Sequence, residues 1–168
     1  MSEKAIITYQ FHLDGFKFLG KTNLVDETSD FGKIWDGFFK MGGYRPIRPY
    51  ATERSPIQVW YHDEEGRTVY FQGLFVENVT EVPKGYTLMD FPGGEYLAVT
   101  TEWMEKNSEA TGPAGNGRCN EYADTVEPPE GWVRADGPKA LIFRIEKEYA
   151  GAPEGSRYEV WVPIEPRK

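Results

Sequence analysis

Few side chains in this sequence could carry out covalent chemistry, whereas many could hold a ligand by its charge or its rings. His12 and His62 are the only histidines and Cys119 the only cysteine. Neither a metal cluster nor a Ser-His-Asp or Cys-His arrangement is therefore signalled, and no metal or other cofactor is expected. The run Gly112-Pro113-Ala114-Gly115-Asn116-Gly117 lacks the Lys-Ser/Thr pair that completes a phosphate-binding loop. The rings are the outlier: aromatic residues make up 15% of the chain, with 5 Trp, 10 Tyr and 10 Phe. An aromatic face attracts a cation held over it by roughly 0.5 to 2 kcal/mol, so several rings together give affinity without a tailored set of hydrogen bonds. Trp60, Tyr96, Trp103, Tyr122 and Trp161 are the candidate walls of such a groove, although each taken singly is more readily read as core or interface packing.

Charge narrows the partners. Lys and Arg number 19 against 27 Asp and Glu, a net charge of −8. That balance argues against a nucleic-acid surface, which needs clustered cations facing the phosphates. It suits a cationic ligand, and solubility explains it equally well. A lone cysteine rules out an internal disulfide, and no signal-like apolar stretch opens the chain, so the expected location is the cytoplasm, with no membrane span. At 168 residues the chain is expected to form one domain with its own core.

These residues need elements to position them. Residues 5 to 20 alternate apolar and polar around Asp14-Gly15 and read as a strand or a kinked pair of strands. Asp30 can cap a helix that carries Phe31, Ile34, Trp35, Phe38 and Phe39 at helical spacing and ends at Gly42-Gly43. Trp35 and Phe38 fall on its apolar side and read as core. Residues 57 to 61 and 68 to 76 form a hairpin around a turn at 63 to 66, which completes a βαββ unit.

After Val82-Pro83-Lys84-Gly85 the same order runs again. Residues 91 to 99 resemble residues 11 to 19, residues 116 to 126 supply a short helix, and residues 140 to 149 with 158 to 164 give a second hairpin. Residues 107 to 117 and 127 to 137 read as long loops beside the suspected site. The expected fold is α+β: two βαββ copies, about 5 to 80 and 85 to 165, related by a pseudo-twofold axis. Antiparallel sheets and two main helices would leave a groove at the seam.

Several local strings in this order resemble the GyrI-like small-molecule-binding family, which includes the effector-binding domains of AraC-type and MerR-type multidrug regulators. They are Phe18-Leu19-Gly20, Ile34-Trp35 with Phe38, Tyr70-Phe71-Gln72-Gly73, Val82-Pro83-Lys84-Gly85-Tyr86, Phe91-Pro92-Gly93-Gly94-Glu95-Tyr96 and Val160-Trp161-Val162-Pro163-Ile164. The resemblance implies that an acid on the penultimate strand faces the pocket and pairs with cationic ligands. Here that stretch is Ile145-Glu146-Lys147-Glu148-Tyr149, with Glu146 the better match and Glu148 the alternative. A carboxylate buried among rings is costly without compensation, so an unpaired Glu146 favours a positively charged ligand. The alternation of Leu141, Phe143 and Ile145 with Arg144, Glu146 and Glu148 equally suits a solvated strand face.

The chain carries no basic recognition helix, so the resemblance implies a stand-alone member that does not itself bind nucleic acid. The first expectation is a binding protein for a small cationic or aromatic molecule. A hydrolase of strained, cyclopropane-type toxins with Glu146 as its acid, and a gyrase-interacting or other protein-interaction module, are the alternatives. Whether it acts as a monomer or a dimer stays open.

Overall fold

A computed structural model describes residues 4–168, and for residues 151 and 152 the backbone alone. Apolar alternation and a high content of β-branched and aromatic residues build nine strands. They are β1 (Ile6–Leu13), β2 (Phe16–Leu24), β3 (Ile57–His62), β4 (Thr68–Val76), β5 (Thr87–Phe91), β6 (Gly94–Thr101), β7 (Trp132–Arg134), β8 (Ile142–Ala152) and β9 (Gly155–Pro166). All pair antiparallel in one sheet of order β1-β6-β9-β8-β3-β4-β2-β5, with β7 adding to the end of β9. The order reads alike from either end: β1, β6, β9 and β8 occupy the places that β5, β2, β4 and β3 occupy on the other side. In the first half Gly20 lies opposite both Gly73 and Thr87, and in the second Ala98 lies opposite both Trp161 and Tyr9. The stretch 91 to 99 is two strands rather than one, broken at Pro92-Gly93, because proline has no N–H to give to a ladder.

The connections make this sheet curl. Strand β1 passes into β2 through Asp14-Gly15 alone, yet the two stand near opposite ends of the order; β5 and β6, joined through Pro92-Gly93, do the same. Only a sheet rolled until its ends meet can satisfy both short links. They touch where they cross: a Cβ built on Gly93 would lie 2.6 Å from the Leu13 carbonyl oxygen and 2.9 Å from the Gly15 nitrogen. The inside of the roll is filled by Phe18, Val59, Phe71, Phe75, Phe91, Tyr96, Ile145 and Trp161. Among the described residues no helix covers this face, because the sheet covers it.

Both main helices pack on the outer face. Helix α1 (Phe31–Lys40) starts where the Asp30 side chain accepts from the Lys33 N–H at 3.2 Å. It ends at Gly42 and Gly43, with φ of 128° and 58°, a region that favours glycine. Its Phe38 packs with Leu19, Ile47, Leu74 and Tyr86. Helix α3 (Arg118–Thr125) sets Cys119 and Ala123 against Leu97, Val99, Val160 and Val162. The two loops expected before and after it hold structure of their own. A four-residue helix α2 (Asn107–Ala110) and a wide turn over Pro113–Gly117 lead into α3, and β7 lies in the later loop. Gly115 is required in that wide turn, since a Cβ there would sit 2.1 Å from the Ala110 carbonyl oxygen. The glycines of this segment thus serve close backbone packing. Among the described residues no helix is long and apolar enough to cross a membrane.

Cys119 is fully buried, and burial pushes its thiol up to about 11. The reactive thiolate is therefore scarce and shielded. A thiol-reactive dye at pH 8 is expected to label the native protein on the order of a hundredfold more slowly than the denatured chain, since labelling must await opening. Equal labelling rates in a time course with and without denaturant would contradict this burial.

Candidate functional site

Between α1 and α3 the outer face of the sheet is polar where its two halves meet. Gln72 on β4, Gln58 on β3 and Glu146 on β8 stand side by side, Gln58 directly opposite both of the others. Each is buried, Glu146 being 6% exposed. Glu146 Oε2 accepts from Trp60 Nε1 at 2.7 Å, and Oε1 accepts from Asn120 Nδ2 of α3 at 2.8 Å. Asn120 is in turn fixed by Arg144, which donates to its Oδ1 at 3.1 Å and to Asp124 Oδ1 at 3.0 Å. The nearest arginine on the strand is thus spent on α3. Both donors to Glu146 are neutral, and among the described residues no Lys, Arg or His forms an ion pair with it. The site holds one negative charge without a counter-charge.

Three tyrosines close around this row. Tyr158 donates to Gln58 Oε1 at 3.0 Å, with Glu146 also within reach of its hydroxyl. Burial raises its pKa well above the ordinary phenol value, and the Glu146 charge raises it further. Tyr70 is raised by the same two causes in the same order, and Tyr44 by burial and then by Glu148. All three are neutral hydroxyls at physiological pH. Aromatic walls come from α1 and β3: the Trp60 ring lies 4.5 Å from Tyr70 and 5.7 Å from Phe31, and Trp35 stacks on Phe39 at 5.8 Å. Trp35, read as core, is half-buried at the edge of this wall, whereas Phe38 is fully buried beneath it.

Of the residues singled out in the sequence, the structure brings Glu146 and Trp60 together. Glu148 shares their face but lies two residues further along, where it accepts from Asn107 Nδ2 at 2.8 Å. Tyr96 and Trp161 point the other way, into the rolled core, where burial pushes the Tyr96 hydroxyl up to about 12. Trp103 lies against Tyr149 at 5.9 Å and carries the Arg157 guanidinium 4.2 Å above its ring, away from Glu146. Tyr122 sits on the exposed side of α3. Gln58, Tyr70, Gln72, Asn120 and Tyr158 were not singled out. Their signal was available for the two glutamines, which interrupt the otherwise apolar strings Ile57-Gln58-Val59 and Phe71-Gln72-Gly73 at buried positions.

An opening of about 670 Å³ lies where the two short links cross, lined by Asp14, Phe16, Phe75, Glu77, Asp90 and Phe91 among others. Its lining includes neither Glu146 nor Trp60, and Lys17 already pairs with Asp90 there at 2.8 Å. No group of three or more His, Cys, Asp or Glu that could hold a metal occurs among the described residues.

This fold is that of GyrI-like effector-binding domains. A protein-family model, Cass2, the integron-associated effector-binding protein, matches residues 10–164, and the chain belongs to that family. Among solved structures, that of SAV2435 bound to tetraphenylphosphonium is similar with a TM-score of 0.72 and 12% identity, covering 95% of this chain and 94% of that one. An integron cassette protein from the mobile metagenome of Vibrio cholerae gives 0.56 and 13%, covering 94% and 95%. The C-terminal domain of EcmrR gives 0.53 and 11%, covering 96% and 99%. At these identities the three structures show a shared fold. No curated protein matches the chain.

Proposed function

We propose that this protein binds lipophilic aromatic cations in the groove between α1 and α3, with Glu146 as the counter-charge and Trp60 as the first ring of the wall. The observation that carries this reading is the buried Glu146 carboxylate, hydrogen-bonded by two neutral donors and by no cation. A buried carboxylate left in this condition is costly, and a ligand cation offsets that cost. Tetraphenylphosphonium bound to SAV2435, a protein of the same fold, supports this ligand class. The net charge of −8 adds a long-range attraction for cations.

In the structure described the groove is closed over Glu146. Entry of a ligand therefore moves the neighbouring rings, with the exposed Phe31 edge and the Trp60 ring as the parts able to yield without opening the rolled core. A wall of movable rings accepts many shapes, which makes broad specificity the expected behaviour. The two halves, residues 5 to 80 and 85 to 165, are read as copies of one unit, in which two strands precede the main helix and a hairpin follows it, with the groove at their seam.

Titration of the protein with tetraphenylphosphonium, followed by tryptophan fluorescence, tests the proposal. Saturable quenching that is lost in a Trp60→Phe variant, whose melting temperature is checked to be close to the parent's, is expected. A flat titration with this and other lipophilic cations, or quenching unchanged by the Trp60 substitution, rejects this site.

A further inference from the structure

The floor of the groove contains a second uncompensated group, and it is a donor. Gln72 is fully buried, and its Nε2 has no hydrogen-bond partner. Its orientation is dictated by a chain that begins at a charge. Lys21 Nζ donates to Asn23 Oδ1 at 2.7 Å, and an ammonium can only donate, so the Asn23 oxygen must face it. Asn23 Nδ2 is thereby turned to Gln72 Oε1, at 3.0 Å, and to the Tyr70 carbonyl, at 2.9 Å. Flipping the Gln72 amide would set two NH₂ groups face to face. Its Nε2 is therefore turned away from Asn23, on the face it shares with Gln58 and Glu146. A buried donor without an acceptor is rare in native proteins and calls for a specific cause.

Building on the cation-binding reading above, we infer that the ligand of this groove carries a hydrogen-bond acceptor, an ether, hydroxyl or carbonyl oxygen, in addition to its cationic centre. Glu146 takes the cation and Gln72 Nε2 takes the oxygen. The two residues stand two strands apart, so their backbones are separated by roughly 10 Å, a span that a drug-sized molecule bridges. Gln58, between them, already accepts from Tyr158, which leaves the Gln72 Nε2 amide as the unpartnered donor of the row. A site with a fixed donor discriminates against analogues that lack the acceptor, because binding them leaves the donor buried and unpaired. The preference expected from one neutral hydrogen bond of this kind is on the order of tenfold.

Matched phosphonium pairs test this. Triphenylphosphonium cations bearing a phenoxyalkyl chain are compared with the phenylalkyl cations in which the ether oxygen is a methylene, at several chain lengths, by calorimetry. The expected result is a preference of about tenfold for the ether at the chain length that fits. In Gln72→Leu that preference vanishes, so the ether and the all-carbon cation bind the variant with equal affinity. Glu146→Gln weakens both members of the pair alike and keeps their ratio. Equal affinity of the pairs at every length, as expected if a fixed water satisfies Gln72, overturns the inference and leaves the cation site standing. A preference that survives in a folded Gln72→Leu also overturns it. If none of the cations binds the parent protein, the cation site falls and the inference falls with it. Should Gln72→Leu fail to fold, Gln72→Met removes the same donor and is read in the same way, while equal affinity of the pairs in the parent protein overturns the inference without any variant.

Discussion

Replacing Glu146 by glutamine is expected to weaken the binding of a lipophilic cation such as tetraphenylphosphonium by roughly 10- to 100-fold, the difference that a charge-assisted contact of about 1.5 to 3 kcal/mol makes. The carboxylate is almost wholly buried, so little solvent screens it, and among the described residues no cation pairs with it that would already have neutralised it. A neutral ring system of similar shape is expected to bind parent and variant alike, because ring packing does not depend on the charge. The variant has its own cost in stability. Trp60 and Asn120 both donate to Glu146, and a glutamine offers them one oxygen and one NH₂, so one donor loses its acceptor. A loss of about 1 to 3 kcal/mol follows, which calorimetric melting would register separately from affinity. Unchanged cation affinity in a folded Glu146→Gln protein would remove the counter-charge from the proposed mechanism.

The second large effect concerns the roll of the sheet. Gly20 and Gly73 face each other across β2 and β4, and a Cβ on Gly20 would lie 1.8 Å from the Gln72 carbonyl oxygen, while one on Gly73 would lie 2.2 Å from that of Leu19. Both obstacles are backbone, which cannot step aside as a side-chain tip can. Gly73→Val is therefore expected to destabilise the fold by about 3 kcal/mol or more, lowering the melting temperature by roughly 6 to 12 °C for a domain of this size. Gly137→Ala is the matched control, since a Cβ there meets nothing within 4 Å. A Gly73→Val protein that melts with the control would show that the close approach of β2 and β4 is not needed for closure.

Much of the fold is legible in local sequence signals. Helix α1 is marked at both ends by residues whose backbone chemistry allows little else, and the two hairpins follow from alternation and their turns. Strand partners are not marked in this way. Nothing in the strings 6 to 13 or 87 to 91 says that each joins the far half of the sheet, because alternation reports which face a residue takes and not which strand lies beside it. Of the candidate site, the sequence marks the Glu146 carboxylate and the Trp60 ring that donates to it.

That Trp161 faces away from Glu146 has a definite cause. Near the turn, Ala152 lies opposite Gly155, and an unbroken ladder from there would set Glu146 opposite Trp161 and on its face. An irregularity between Tyr149 and Ala152 shifts the register by one, so Glu146 meets Val160 and the tryptophan turns into the roll. A single extra residue in β8 thus decides that Trp161 and Glu146 take opposite faces of the sheet. Gln58 and Gln72 carried a signal in their burial among apolar neighbours, but the orientation that leaves Gln72 Nε2 without an acceptor arises from Lys21 and Asn23, which only the folded chain brings to it.

The crossing of the two short links has a consequence for how the molecule holds together. Strand β1 belongs to the first half of the chain but borders β6 of the second, and β5 of the second half borders β2 of the first. Each half is thus fenced by a strand on loan from the other. A backbone cleavage anywhere in the connection from 77 to 86 would leave two pieces clasped through three separate ladders, β1 with β6, β3 with β8, and β2 with β5. Such a nicked protein would behave in solution as one particle. Neither piece made alone would have a complete sheet, so the two would have to find each other in order to fold.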